Sequence, residues 1–298
     1  MKNQTSPLAP RRQRDYAGVL SSILAILAGL LVGLIVLLAT NPSNAFPAFS
    51  ALITGGFYSG MKTFGNVLYY AVPIIMTGLG VGFGFKASIF NIGGAGQFIV
   101  GAFCGVYTAS VWNLPGALGW IVPLLASMIG GALWALLPGL LHAYRRVNIV
   151  IATIMMNYIG MYLVNYLIKI APIYDNVKNQ TRPVPAAHRL PTAVIVVAII
   201  VFILLEKTNF GFELKACGKN RDASIGFGVD AKRMIMTAML ISGALIGLGG
   251  ALLYLSSAGK YIKVEDVQAA EGMNGIPVAL LAMNHPIGII FTGIFIAY

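Results

Sequence analysis

The feature that most constrains this chain is a series of apolar runs, each about long enough to cross a lipid bilayer. Of its 298 residues, 58% are hydrophobic and only 10% are charged. A helix needs roughly 20 apolar residues to span about 30 Å of hydrocarbon. Seven such runs occur, at residues 17–39, 64–85, 89–112, 115–141, 149–170, 190–205 and 234–257. They predict an all-α fold, a polytopic transmembrane helical bundle.

The runs at the two ends of the chain allow more than one interpretation. An eighth run starts near Ile287 and is still apolar at Tyr298, and its twelve residues would reach only about 18 Å as a helix. We therefore expect a truncated C-terminal span. The first run resembles a secretory signal, but it is longer than the roughly 7–15 apolar residues of a signal peptide. We expect a retained helix, with a cytoplasmic basic tail at residues 1–16 and a transmembrane domain at 17–298.

The distribution of basic residues predicts the orientation. Threading the seven runs from a cytoplasmic N-terminus places thirteen of the 20 Lys and Arg residues inside and six outside, with Lys169 at the outer end of the fifth run. This asymmetry is typical of cytoplasmic loops. It predicts a multi-pass protein of a cytoplasmic membrane, and it explains the net charge of +11 without nucleic acid as a partner. The polar loop 206–233 is then cytoplasmic.

Several functional classes are disfavoured by what the chain lacks. All nine acidic residues lie outside the predicted spans, whereas ion-driven carriers usually hold a carboxylate in the membrane. There is no G-x-x-x-x-G-K-[ST] phosphate loop, so the chain is not itself an ATPase. The histidines and cysteines are isolated, so we expect no catalytic residue, no metal and no cofactor. An ion-coupled carrier and an intramembrane enzyme stay open as alternatives.

Two glycine-rich breaks interrupt the apolar pattern. They are FNIGGAGQF at residues 90–98 and EGMNGIPVALLAMN at 271–284. Interrupted helices expose N–H and C=O groups that can line a polar route through a membrane. The threading places the first break near the cytoplasmic side and the second near the outer side. Asn91, Gln97 and Asn274 are the predicted path residues here, and tight packing turns are the alternative.

The fifth run carries a further predicted path surface. Tyr158, Tyr162, Asn165 and Lys169 recur at i, i+4, i+7 and i+11 and share one helical face. Amides beside aromatic rings suit a neutral, hydroxylated or ring-containing ligand, so Asn157, Tyr158 and Asn165 complete the predicted path. An interfacial belt of tyrosines is the alternative.

The stretch CGKNRDASIGFG at residues 217–228 is polar inside an apolar chain. Asn220 is a plausible N-cap, Asp222 falls in the first turn, and Gly226 and Gly228 would end the element. Ala223 and Ser224 keep one face small. The pattern predicts a short exposed helix, which can dock into a groove on another protein; a solvated loop is the alternative.

These residues resemble a known family. Asp222-Ala223-Ser224, followed by three residues and Gly228, is similar to the E-A-A-x-x-x-G coupling loop of bacterial ABC importer permeases. Gly218-x-Asn220 and the segment that follows resemble the ribose and branched-chain amino acid type. FNIGGAGQF is most similar to the nucleoside (basic membrane protein-linked) permeases, which favour N-I-G-x-E-G-Q. Ala95 stands at the usual glutamate position.

The resemblance implies the membrane-spanning permease subunit of an ATP-binding-cassette importer in the bacterial cytoplasmic membrane. Its solute would be small and polar, nucleosides first and ribose-like sugars as the alternative. The implied partners are a cytoplasmic ATPase that carries ATP and Mg, a second permease chain, identical or not, an extracytoplasmic substrate-binding protein or lipoprotein, and membrane lipid. The implied ATPase-coupling residues are Gly218, Asn220, Arg221, Asp222, Ala223, Ser224, Gly226 and Gly228.

Overall fold

The computed structural model describes residues 16–57, 60–112, 114–188, 203–226, 228–256 and 260–298. Over these ranges the chain is almost entirely helical, as the apolar runs predict. The helices are α1 (Tyr16–Thr40), α2 (Ala45–Thr54), α3 (Met61–Lys86), α4 (Gly94–Val111), α5 (Leu118–Arg145), α6 (Ile149–Ile170), α7 (Asn209–Lys219), α8 (Arg221–Gly226), α9 (Ala231–Tyr254), α10 (Ala270–Leu281) and α11 (Pro286–Ala297). Residues 203–206 are also helical. The all-α prediction is confirmed.

Five of the described helices are long and apolar enough to cross a membrane: α3, α4, α5, α6 and α9. Each corresponds to one predicted run. The first run corresponds to α1, and the short apolar helix α11 corresponds to the eighth. The sixth run, 190–205, lies largely outside the described residues, as does most of the basic tail at 1–16.

The chain divides into two compact units, Met1–Thr63 and Phe64–Tyr298. In the first unit, α1 and α2 pack on each other and enclose an apolar cleft. Gly29 and Gly33 line this cleft, and a Cβ at either position would meet no atom within 4 Å. These two glycines therefore leave space open, whereas several glycines of the second unit, such as Gly131 and Gly247, bring helices together.

In the second unit, α9 packs most extensively against α5 and also against α4. Glycines make the approach close, since a Cβ on Gly247 would lie 3.0 Å from the Cα of Gly131. A Cβ on Gly101 would meet the backbone of Gly247 in the same way. Small residues at helical spacing therefore bring three membrane helices into backbone contact, as expected where packing drives association.

The segment after α6 forms an ordered cap at one end of this bundle. Strands β1 (Tyr174–Asp175) and β2 (Gln180–Thr181) pair antiparallel, and the N–H of Thr181 donates to the carbonyl of Ile262 at 2.9 Å. The ring nitrogens of His188 face the carbonyl oxygens of Ala109 at 2.7 Å and Leu114 at 3.1 Å. These bonds satisfy buried polar groups of the loop, which is therefore ordered.

The predicted position of the second break is wrong. Helix α10 does not lie in an outer loop, because a Cβ on Gly275 would clash with Thr77 in the middle of α3. The turn after α10 brings Asn284 against Gly82, about one helical turn before α3 ends. The two breaks therefore lie toward the same end of α3. Sequence threading missed this because α10 has only 12 residues, too few for a full span.

Candidate functional site

The first break re-enters the bundle after α3. The chain leaves α3 at Lys86, runs through non-helical residues 87–93 and starts α4 at Gly94. Asn91 and Gln97 are each 1% exposed and form a reciprocal amide pair, with both N···O distances 3.0 Å. The Asn91 amide also donates to the hydroxyl of Ser242 in α9 at 3.0 Å. The pair is thus brought together as predicted, and its hydrogen bonds hold the break against α9.

Asn157 of α6 supports the same break from another side. Its side-chain oxygen accepts from the N–H of Gly96 at 2.8 Å, and its amide donates to the carbonyl of Ile92 at 2.9 Å. Gly96 lies in the first turn of α4, where N–H groups lack partners within the helix. Asn157 therefore supplies, from a neighbouring helix, the cap that the α4 sequence does not contain.

The other two predicted residues of α6 lie elsewhere. Tyr158 is 48% exposed, on an outward face that Tyr162 shares. Asn165 donates to the backbone carbonyl of Glu265 at 3.0 Å and to the carboxylate of Asp266 at 3.1 Å. Asn165 and Tyr162 line an open polar pocket of about 380 Å³. The structure therefore separates the predicted path into a buried cluster and this exposed face.

Asn274 lies on α10 and is half-buried. One turn earlier on this helix is Glu271, which the sequence threading placed in an outer loop. Gly272 between them packs directly on the backbone of Gly94 and Ala95, where α4 begins. Glu271 is partly buried, and the residue that follows it, Gly272, contacts Ala95, the position where the resemblance places a glutamate.

The predicted coupling segment forms a short helix, as expected. Asn220 is extended between α7 and α8, and its carbonyl accepts from the N–H and the hydroxyl of Ser224, at 3.1 and 2.8 Å. Gly228 adopts a φ of +84° after α8 ends at Gly226. The predicted residues Arg221, Asp222 and Ala223 form the first turn of α8, and their side-chain contacts lie outside what the structure describes.

The helix α8 presents an exposed surface. Ile225 is 53% exposed, and Gly226 and Gly228 are also exposed. Beside it, a groove of about 630 Å³ between α7 and α8 is lined by the exposed ring of Phe212 and by Asn220 and Ser224. An exposed apolar side chain on a short helix beside a groove is suited to contact with another protein.

One ion pair supports this region. The Lys215 ammonium of α7 donates to the Glu206 carboxylate at 2.9 Å. This hydrogen bond is the main reason why the pKa of Glu206 lies below its usual value, and partial desolvation opposes the shift. The pair fixes α7 to residues 203–206.

Three residues of this region were missed by sequence reasoning. Ser242, Ile225 and Ser88 are not among the residues that the sequence patterns single out. The hydroxyl of Ser88 donates to the carbonyl of Gly218, so Gly218 faces its own chain. The bonds of Ser88 and Ser242 join residues 130 and 151 positions apart, and Ile225 is distinguished only by its exposure. Local sequence patterns contain neither kind of information. Among the described residues, no group of three His, Cys, Asp or Glu side chains could hold a metal ion.

The structure contains a bundle of membrane-length helices, a re-entrant break, and a short exposed helix between α7 and α9. These features define a polytopic helical membrane protein. Residues 63–298 match the family described as branched-chain amino acid transport system / permease component. The chain belongs to this family of membrane permeases, so it is a multi-pass membrane protein.

Individual relatives extend over most of the chain. It is 33% identical to the guanosine ABC transporter permease protein NupP of Bacillus subtilis, over 91% of this chain and 82% of that protein. It is 31% identical to the nucleoside ABC transporter permease protein NupB of Lactococcus lactis, over 93% and 81%. It is 30% identical to the glucose ABC transporter permease protein TsgB13 of Haloferax volcanii, over 92% and 77%. No solved structure matches the chain significantly.

Proposed function

We propose that this chain is the permease subunit of an ATP-binding-cassette importer and that it translocates nucleosides. The observation that carries the proposal is its likeness to a guanosine and a nucleoside permease, each over more than nine-tenths of the chain. The glucose permease of similar identity favours a sugar as the second candidate.

The segment 218–228 is the proposed contact through which ATP hydrolysis on the ATPase drives transport. Its helix α8 is short and exposed, and it is joined to the bundle at both ends by α7 and α9. A cytoplasmic ATPase that binds α8 would transmit its closure along these two helices. ATP and Mg then reside on the ATPase, and this chain contributes no catalytic residue.

The proposal includes the other parts of an importer of this kind. A second permease chain, identical or homologous, encloses the path with this one, and a secreted or lipid-anchored binding protein delivers the solute to the outer face. The N-terminus lies in the cytoplasm of a bacterial cell, an orientation supported by the excess of Lys and Arg in the segments that the threading places inside. The exposed apolar side chains of α5 and α6 include Leu133 and Ile151, which contact lipid or the second chain.

The full importer, reconstituted in vesicles with its ATPase and binding protein, tests the proposal. We expect uptake of radiolabelled guanosine that requires ATP and exceeds uptake of ribose or glucose. Equal uptake without ATP would indicate a carrier, and preferential glucose uptake would favour the sugar candidate.

A glycine variant tests the coupling role in the same vesicles. Gly228→Asp places a charged side chain at a φ of +84° beside α8, and we expect ATP hydrolysis to persist while guanosine uptake is lost. Gly116→Asp is the matched control, because Gly116 also has a positive φ, +58°, and open space around its Cβ position. Wild-type uptake by Gly228→Asp would contradict the coupling role.

A further inference from the structure

The C-terminal end of α3 has an unusual residue at its turn. The N–H of Ile89 donates to the carbonyl of Gly84 at 3.0 Å, and that of Ser88 donates to the carbonyl of Phe85 at 2.9 Å. This pair of bonds is the Schellman motif, in which the residue after the cap has a positive φ and is usually glycine. Here it is Ser88, with a φ of 55°. A serine at this position costs conformational energy that a glycine would not.

The side chain of Ser88 has a specific partner that offsets this cost. Its hydroxyl donates to the carbonyl of Gly218, at the end of α7. The two surfaces are in backbone contact, because a Cβ on Gly218 would collide with the carbonyl oxygen of Lys86 and lie 3.1 Å from the nitrogen of Ser88. Only a glycine fits at position 218 with this geometry.

The other flank of α8 is connected to the same break. Helix α9 follows α8, and its Ser242 accepts a hydrogen bond from the buried amide of Asn91. Asn91 lies three residues after Ser88 and is paired with Gln97 of α4. The helices before and after α8 therefore each hold the break 87–93 through one hydroxyl.

We propose that Ser88 and Gly218 are positioning residues that transmit movement of α8 to the re-entrant break 87–93, an inference that rests on the proposed importer function. Gly218 of α7 is bonded to Ser88 and Ser242 of α9 is bonded to Asn91, and these two residues of the break are only three positions apart. Movement of α7 relative to α9 therefore changes the distance between the groups that hold them. The break must then shift, and the start of α4, with Gln97 and the cap from Asn157, shifts with it. Energetic coupling travels through such contiguous packed contacts when the element they join has two arrangements.

The first test removes the hydroxyl without disturbing the fold. Ser88→Gly relieves the positive φ and deletes the bond to Gly218. In reconstituted importer we expect unchanged binding of the ATPase and a fall of at least about fivefold in guanosine transported per ATP hydrolysed, the lower range of coupling between sites. Met283→Gly is the matched control, since Met283 also has a positive φ, 51°, and its side chain is 85% exposed.

The second test disturbs the partner surface. Gly218→Ala should separate α7 from the end of α3 and lower the same ratio, whereas Gly65→Ala, whose Cβ would meet no atom within 4 Å, should not. The inference is overturned if both Ser88→Gly and Gly218→Ala transport at the wild-type ratio, or if they lower only thermal stability or ATPase binding. If instead the wild type shows no ATP-driven guanosine uptake, or Gly228→Asp behaves as wild type, the proposed function itself fails.

Discussion

A single side chain from a neighbouring helix caps α4, a role that is usually filled by a residue next to the helix in sequence. Asn157 caps α4 from the neighbouring helix α6, through bonds to Gly96 and Ile92. Asn157→Leu would leave the N–H of Gly96 and the carbonyl of Ile92 without these bonds, and each buried polar group left unsatisfied costs about 1–3 kcal/mol. We expect a lower melting temperature in detergent. Asn165→Leu should have a smaller effect, because water can replace its bonds at the open pocket, and an equal loss in both variants would contradict the capping role.

The ion pair between Lys215 and Glu206 predicts a small pH dependence. The pKa of Glu206 is lowered, first by the hydrogen bond from Lys215, so the pair stabilises the fold above the unfolded pKa of about 4.3 and loses this contribution as the pH falls through the lower folded pKa. Both side chains are partly exposed, and we expect Lys215→Met to cost no more than about 0.5 kcal/mol at pH 7. Melting curves should show this difference shrinking toward pH 3. A difference that grows on acidification would contradict the assignment.

At the scale of helices, close glycine contacts set the position of α9. Its Gly247 faces the backbone of α5, where a Cβ would lie 3.0 Å from the Cα of Gly131. Gly247→Leu has no room for its side chain, and we expect a loss of about 3 kcal/mol, the upper range for overpacking. Thermal unfolding of the purified protein measures it. Gly65→Leu is the control, since Gly65 has open space, and equal melting temperatures for the two variants would rule out this packing.

Helices were predicted well where one continuous apolar run makes one helix. The bounds of α6 match the predicted 149–170, α3 extends its run by three residues at the start and one at the end, and α9 is shifted three residues toward the N-terminus of its run. The α8 segment was also predicted, because Asn220 and Gly228 act locally on the backbone. The failures are non-local. The position of α10 beside α3 depends on which helices meet, and so does the bond of Ser88 to Gly218. A single sequence does not encode such contacts in any local period.

At the scale of the whole molecule, the path of α10 and α11 decides the topology. Asn284 lies beside Gly82, about 6 Å of helical rise from the end of α3 at Lys86. The α3 end is also where Ser88 meets α7, so the turn after α10 belongs to the side that carries the basic loops. In the proposed orientation, which rests on the distribution of Lys and Arg, that side is cytoplasmic. Simple threading of seven spans places the same turn outside.

Cysteine labelling distinguishes the two topologies. Met283 and Val177 are 85% and 94% exposed, and each can be changed to cysteine in a parent where Cys104 and Cys217 are alanine. We expect Val177→Cys to react with an impermeant maleimide on intact cells and Met283→Cys to react only in inside-out vesicles, because α10 and its preceding segment carry the chain from the outer cap to the cytoplasmic side. Labelling of both cysteines from outside would show that α10 does not enter the bundle. The contact of Gly272 in α10 with the start of α4 would then be wrong as well.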